Sequence, residues 1–157
     1  MNKKICDSKA VIQVIGSIYQ NPELLDNEQY KFNEDDFPMD FHKVMFGSIY
    51  NLHALGAKSI TVNTIEDYLE QRPQKLAIYK ANNGAEWIDK VKDTVSLATF
   101  DYYYKRLKKF TLLRMYDNIG VDIKSIYDTD NILDLKKKQE QEEWLDNVSI
   151  EEIADKI

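Results

Sequence analysis

The sequence predicts an all-α protein, a small globular helical bundle followed by an antiparallel helical hairpin. Three observations favour this class. Apolar residues recur at spacings of three and four through most of the chain, which is the period of one helix face. Glycine and proline are scarce, at 5 and 3 residues, which disfavours a turn-rich β architecture. The hydrophobic fraction of 43% is sufficient for a core in one domain of 157 residues.

The first helix is predicted from about Asp7 to Tyr19. Asp7 or Ser8 can accept hydrogen bonds from the free amides at its start. Gly16 lies on this helix, where glycine costs about 1 kcal/mol relative to alanine, so we expect a neighbouring helix to approach closely there. Asn21 and Pro22 then open a short helical turn.

The rest of the head, which we place at residues 1–98, is predicted from caps and prolines. Gly56 stands where a left-handed C-terminal cap is expected after the second helix. The predicted elements are a helix from Asp40 to Leu55, a brief extended piece at 60–63, a helix capped by Thr61 or Asn63 that ends before Pro73, and two weaker helical pieces at 74–80 and 85–95.

A single long apolar stripe begins near Thr99. Its members are Phe100, Tyr103, Leu107, Phe110, Leu113, Tyr116, Ile119, Ile123 and Ile126. They predict one amphipathic helix of about 27 residues and roughly 40 Å, with a bend at Gly120. A second helix from Ile132 to about Leu145 is expected to fold back antiparallel, which gives a hairpin at residues 99–147.

A helix this long exceeds the radius of a small globule, so part of its stripe must contact another surface. We expect that surface to be a second copy of the chain. The candidates for this self-association face are Tyr103, Leu107, Phe110 and Ile123. The alternative for the same residues is packing within the chain, against the second hairpin helix, and the pattern leaves both open.

The last ten residues, 148–157, have the pattern of a helix start. Ser149 and Glu152 form a capping-box signature, and Ile150, Ile153 and Ile157 share one face of the helix that it opens. Two turns of helix are marginal alone. We therefore expect a linker helix that leads into a further domain.

Neither the composition nor the motifs of this chain suggest a catalytic site or a site for a cofactor or metal. There is no G-x-x-x-x-G-K-[ST] phosphate loop. His42 and His53 lie eleven residues apart on one helix, cannot share a site, and are expected at surface or half-buried positions. The pair Asp35-Asp36 could bind a cation but is more typical of a helix cap. We expect no catalytic, cofactor or metal site.

Charge and cysteine content limit the partners. The net charge of −6 gives no overall attraction for nucleic acid, so a DNA contact would need a local patch. The single cysteine, Cys6, cannot form an internal disulfide. No signal peptide and no apolar run of about 20 residues is visible. These features favour a soluble cytoplasmic protein without a membrane partner.

One stretch has the composition of a nucleic-acid patch. Aromatic side chains can stack on bases and cations can contact phosphates, and this stretch interleaves the two. Its members are Tyr102, Lys105, Arg106, Lys108 and Lys109. The alternative is an ordinary helix whose apolar side faces the core and whose cations are solvated. The charged stretch from Lys136 to Glu143 is interpreted in the same way, as an exposed helix.

Three segments resemble the N-terminal domain of DnaB-type replicative DNA helicases. Val14–Tyr19 with Asn21–Leu25 is similar to that family's opening helix and its D-P-E-x-L turn. The family's D-F … H-R-x-I-F segment and the run after it resemble Asp36-Phe37, Phe41–Phe46 and the run from Leu52 to Leu69. In this match, His42 falls on a family histidine and Thr64 on a family threonine. Thr99–Tyr103 with Leu112–Arg114 looks like the start of the family hairpin.

The resemblance implies a non-catalytic collar domain. In the family, hairpins pair into dimers and three dimers form a collar above the motor ring. That collar supports hexamer assembly and docks the primase and the helicase loader. ATP and Mg²⁺ would belong to a motor domain that this sequence lacks, and DNA would be contacted only indirectly through the parent helicase.

The departures from the family pattern indicate a divergent member, of a phage or mobile element. Thr61 replaces the usual aspartate, Asn83-Gly84 replaces paired glycines, and Lys136 to Glu143 is more charged than the usual second hairpin helix. Two alternatives remain at this point. One is a free-standing helicase-binding protein, such as a loader or an inhibitor that mimics the collar. The other is a small DNA-binding module.

Overall fold

The computed structural model describes residues 5–130 and 133–155. Within these ranges all regular secondary structure is helical and no strand occurs, which confirms the all-α class. The helices are α1 (Ser8–Gln20), α2 (Asp40–Ala54), α3 (Val62–Glu70), α4 (Pro73–Ala81), α5 (Gly84–Lys92), α6 (Phe100–Asn118), α7 (Leu135–Asn147) and α8 (Ile150–Asp155). Short 3₁₀ helices at Pro22–Asp26, Glu34–Asp36 and Leu97–Thr99 connect them.

Helix α1 lies at the centre of the head. Asp7 caps it, because its side chain accepts a hydrogen bond from the Ala10 amide at 3.1 Å. A Cβ atom at Gly16 would lie 2.6 Å from the side chains of both Val91 and Val95. The close approach expected at Gly16 is thus confirmed, and the neighbouring helix is α5 with the residues after it.

Capping interactions set the next boundaries. Gly56 has φ +84°, and the Gly56 and Ala57 amides donate to the carbonyls of His53 and Leu52, which is a Schellman motif. Helix α3 begins at Val62, inside the piece expected to be extended. The reason is a capping box in which Thr61 and Thr64 satisfy each other's backbone amides.

The head core is formed by α1 to α5 and the first half of α6. Its members come from each of these helices and from the loop before α2. Side chains with no exposed surface are Val14, Ile15, Ile18, Phe37, Met45, Ile49, Ile65, Leu69 and Ile88. Burial of this many aliphatic and aromatic side chains, at about 1.5–3 kcal/mol each, is the main stabilisation of the head.

The predicted helix from Phe100 to Ile126 is too long. Helix α6 ends at Asn118 because Gly120 adopts φ +93°. The Gly120 amide donates to Asp117 O at 3.1 Å and the Val121 amide to Tyr116 O at 3.0 Å, which completes a Schellman motif. The glycine expected to bend the helix terminates it instead.

The residues after Gly120 turn back and build a second core. Ile123 and Tyr127 pack there with Phe110 and Leu113 of α6, and Ile5, Leu145, Val148 and Ile153 complete the cluster. Most of the apolar stripe is therefore covered within the chain, whereas Ile119 is 72% exposed. The stripe thus leaves this side chain at the surface, and its contact with a second copy of the chain stays a prediction.

Helix α7 contacts α6 through its C-terminal half. Residues 135–140 are exposed, whereas Leu145 is fully buried. Tyr102 bonds to Asp146 and Arg106 to Glu142, so the pairs run in opposite chain order, as in an antiparallel arrangement. The predicted start of this helix, Ile132, lies outside the described residues.

Helix α8 packs against α6. Ser149 Oγ accepts a hydrogen bond from the Glu152 amide at 3.0 Å, which confirms Ser149 as the cap of this helix. Ile153 is 1% exposed in the second core. Ile157, expected on the same face, lies outside the described residues. In the described part of the chain, no helix is long and apolar enough to cross a membrane.

We predict opposite effects for two alanine substitutions. Gly120→Ala should lower the free energy of unfolding by about 1–2 kcal/mol, because a Cβ atom is strained at positive φ. Gly47→Ala should raise it by about 0.5–1 kcal/mol, because Gly47 lies inside α2 and no atom lies within 4 Å of the added methyl. Urea unfolding measures both, and a Gly120→Ala chain as stable as Gly47→Ala would contradict the Schellman termination.

Candidate functional site

Three of the four cations in the expected patch contact other segments of the chain, whereas the fourth, Lys105, is exposed. The structure does place the members of the expected nucleic-acid patch on one helix. It also gives each of them a partner inside the chain, however. The partners of Arg106, Lys108 and Lys109 lie in three segments around α6, namely the start of α1, the 3₁₀ helix Glu34–Asp36, and α7.

Arg106 binds three carboxylates at once. Its Nε lies 2.6 Å from Asp7 Oδ2, its Nη1 2.6 Å from Asp146 Oδ1, and its Nη2 2.8 Å from Glu142 Oε2. Burial lowers the pKa of Arg106, but the hydrogen bonds to the three carboxylates outweigh it and raise that pKa overall. The guanidinium therefore stays charged and joins the N-cap of α1 to two successive turns of α7.

The Arg106 partners have further interactions of their own. Asp7 also caps α1, and Glu142 also accepts a hydrogen bond from the Tyr127 hydroxyl. Burial, followed by this bond to Glu142, raises the pKa of Tyr127. Because each carboxylate serves two groups, the network fixes the α6–α7 contact and the chain that folds back after Gly120.

Lys108 and Lys109 bind two other segments. Lys108 Nζ lies 2.9 Å from Asp36 Oδ2, and Asp36 is fully buried. Asp36 also accepts from Thr111 at 2.8 Å and from the Asn33 amide at 2.9 Å. Lys109 Nζ donates to Leu145 O at 2.7 Å, and burial lowers the pKa of Lys109.

The acidic pair Asp35-Asp36 is a cap, as its pattern favoured. Asp36 completes a capping box with Asn33 and neutralises Lys108. No group of three or more histidine, cysteine, aspartate or glutamate side chains in the described residues could hold a metal ion.

The remaining patch members are exposed but also paired. Lys105 Nζ lies 2.8 Å from Asp101, and the Tyr102 hydroxyl donates to Asp146 at 3.0 Å. Phosphates would have to compete with carboxylates for Lys105, Arg106 and Lys108, and with the Leu145 carbonyl for Lys109. The patch is therefore a set of intramolecular contacts and does not offer a free cationic surface for DNA.

The residues expected at a self-association face lie mainly in the two cores. Leu107, Phe110 and Ile123 are 3%, 4% and 2% exposed, and Tyr103 is partly buried. Their side chains are covered by this chain, which is the alternative that the pattern left open. The structure does not present them as an exposed face.

Arg114 was missed by the sequence reasoning as a structural residue. It is 1% exposed, and its guanidinium donates to Ile5 O at 2.7 Å and to Asp35 O at 2.6 Å. Burial lowers the pKa of Arg114. A signal was present, because Arg106 and Arg114 lie one turn to either side of Phe110 and so share its buried face.

His42 is more buried than expected. It is 8% exposed beside the rings of Phe41 and Trp87, and its Nδ1 has no hydrogen-bond partner in the described part of the chain. Burial lowers the pKa of His42 from its ordinary value of 6.5. His53 is half-buried, and its Nε2 lies 2.9 Å from Asp26 Oδ1.

The Arg106 network predicts a large and specific loss of stability. Arg106→Met should lower the free energy of unfolding by about 3 kcal/mol, because three carboxylates then face one another without a cation. Arg106→Lys should lose less, since an ammonium keeps the charge but cannot span all three partners. The matched control Lys105→Met removes an exposed pair and should cost less than about 0.5 kcal/mol. Equal unfolding free energies for Arg106→Met and Lys105→Met in urea would contradict this role.

His42 predicts a loss of stability in mild acid. Below pH 6.5 and above its lowered pKa, the unfolded chain binds a proton at His42 that the folded chain does not, so stability falls as the pH falls. His42→Gln should reduce this slope, by at most about 1.4 kcal/mol per pH unit. Thermal unfolding between pH 7.5 and 5.5 measures it. A slope unchanged in His42→Gln would contradict the assignment.

Comparisons with known proteins agree with this architecture. The family model of the DnaB-like helicase N terminal domain matches residues 5–109, which cover α1 to α5 and the first half of α6. The SPbeta prophage-derived uncharacterized protein YorI of Bacillus subtilis (strain 168) is 40% identical over 148 residues. That alignment covers 94% of this chain but only 29% of the relative, which is therefore much longer. No solved structure matches significantly. The chain belongs to the DnaB-like helicase N-terminal domain family.

Proposed function

We propose that this chain is a non-catalytic collar domain of a replicative DNA helicase, which supports hexamer assembly and docks the primase and the helicase loader. The observation that carries the proposal is the family match over residues 5–109. It covers the whole head and the part of α6 that holds Arg106. ATP and Mg²⁺ would be bound by a separate motor domain.

The internal contacts of α6 support a structural role. Arg106, Lys108 and Lys109 connect α6 to α1, to the loop before α2 and to α7. A helix with these contacts can hold the head and the C-terminal helices as one unit. A collar needs such a unit, because it must keep its shape when neighbouring subunits assemble on it.

The charge distribution supports indirect rather than direct contact with DNA. The net charge is −6, and each cation of the aromatic-basic stretch of α6 has an intramolecular partner. We propose that DNA is reached only through the parent helicase, in the cytoplasm.

The prophage relative supports a place within a longer, mobile-element protein. The match spans 29% of that relative, so a domain similar to this one occurs there beside additional sequence. The relative is uncharacterized, and its printed description assigns it no activity.

The coding sequence after Ile157 gives the first test. A reading frame that continues into a G-x-x-x-x-G-K-[ST] phosphate loop would support the collar assignment. The encoded protein should then sediment as a hexamer, and deletion of residues 1–147 should reduce its mass at the same concentration. A stop codon directly after Ile157, together with a stable complex between the chain and the helicase of the same replicon, would instead support a free-standing helicase-binding protein.

A further inference from the structure

Gly47 is the one glycine that the fold itself does not explain. A Cβ atom would clash at Gly16 and Gly84, and Gly56 and Gly120 have positive φ. Gly47 lies in the middle of α2 with nothing within 4 Å of an added Cβ. Glycine inside a helix costs about 1 kcal/mol relative to alanine. The missing side chain leaves open space at the surface.

That space is the floor of an apolar groove of about 460 Å³. The groove runs between α2, α4 and the loop before α2. Its wall includes the rings of Phe32 and Phe46, which pack on the fully buried Phe37, and the three ring centroids lie 4.4–6.2 Å apart. Tyr50, which is 47% exposed, lines it as well. The volume is in the range of sites that accept inserted apolar groups.

The rim of the groove on the loop side is acidic. Glu34 and Asp40 line it, are exposed, and have no ion pair among residues 5–130 and 133–155. Lys43 offsets only one of these two charges, and its ammonium donates to Glu34 O at 2.7 Å and to Phe37 O at 2.6 Å. Lys75 lines the groove from α4. An apolar group with cations beside it would complement the loop side.

The chain itself carries such a group at the start of α7. Leu133 is 91% exposed and Leu135 71% exposed. Lys136, Lys137 and Lys138 follow directly, and these exposed lysines form no ion pair within the described ranges. The segment has two protruding leucines and a net positive charge, from three lysines and Asp134. It therefore matches an apolar groove whose loop side has a net negative charge, from two carboxylates and Lys43.

We propose that the groove over Gly47 binds the segment Leu133–Lys138 of a second copy of this chain. Leu133 and Leu135 insert between the aromatic wall and Gly47, and the lysines face Glu34 and Asp40. The contact joins two different surfaces, so it is heterologous and can close into a ring. The proposal rests on the proposed function, because it assigns a surface to the self-association of a collar.

Sedimentation velocity of the whole chain at low salt tests this interface. The weight-average mass of the wild type should rise with concentration up to about 500 µM, and less so at high salt because the charge pairs are screened. Gly47→Leu fills the groove, and the double variant Leu133→Asp, Leu135→Asp removes the inserted group. Each should weaken association at least about tenfold. The matched controls are Gly47→Ala, which leaves most of the groove open, and Leu97→Asp, which changes a leucine elsewhere that is 50% exposed. Both controls should associate as the wild type does.

Mixing the two blocked variants gives the decisive result. Each keeps the surface that the other has lost, so an equimolar mixture should form a dimer that does not grow further. Circular dichroism of each variant verifies folding. A mixture that stays monomeric, or blocked variants that associate like the wild type, would overturn the interface and leave the helicase assignment to its own test in the coding sequence. A wild type that is monomeric at about 500 µM would also overturn it, and would leave a different protein as the occupant of the groove.

Discussion

The guanidinium of Arg106 lies where three separate parts of the chain meet, and the described structure depends on it more than on any other polar group. Its nitrogens lie within 2.8 Å of oxygens of the N-cap carboxylate of α1 and of two carboxylates of α7. A buried cation with three carboxylate partners is stable only when all of them are held in place, because an uncompensated charge is expensive away from water. The network therefore specifies one position of α7 relative to the head.

The other buried cations of α6 extend the same principle. Lys108 neutralises the fully buried Asp36, Lys109 donates to a carbonyl near the end of α7, and Arg114 donates to carbonyls at the N-terminus and in the loop before α2. Apolar packing supplies most of the stability of both cores, but it is non-directional. The hydrogen bonds from the cations of α6 are directional, so they fix how the packed segments are oriented relative to α6. This explains why a protein with many lysines in one helix offers few of them to an outside anion.

The all-α class and most of the head could be predicted from the sequence, because caps and helical periodicity are local signals. Asp7, Gly56 and Thr61 cap or terminate the helices where the pattern placed them. The end of α6 could not be predicted from periodicity, since the apolar stripe continues through Ile123 although the backbone turns at Gly120. The partners of the α6 cations could not be predicted for a related reason. Whether a helical cation faces solvent or a distant carboxylate depends on contacts such as Asp7 with Arg106, which lie 99 residues apart.

The most direct measurement of the central claim is hydrogen exchange of the backbone amides under native conditions, in the wild type and in Arg106→Met. If Arg106 holds α7 against α6, the amides of residues 141–153 should lose protection in the variant far more than the amides of α2 and α3, which pack on other helices of the head. Loss of protection spread evenly over all helices, or unchanged protection in α7 and α8, would contradict the account.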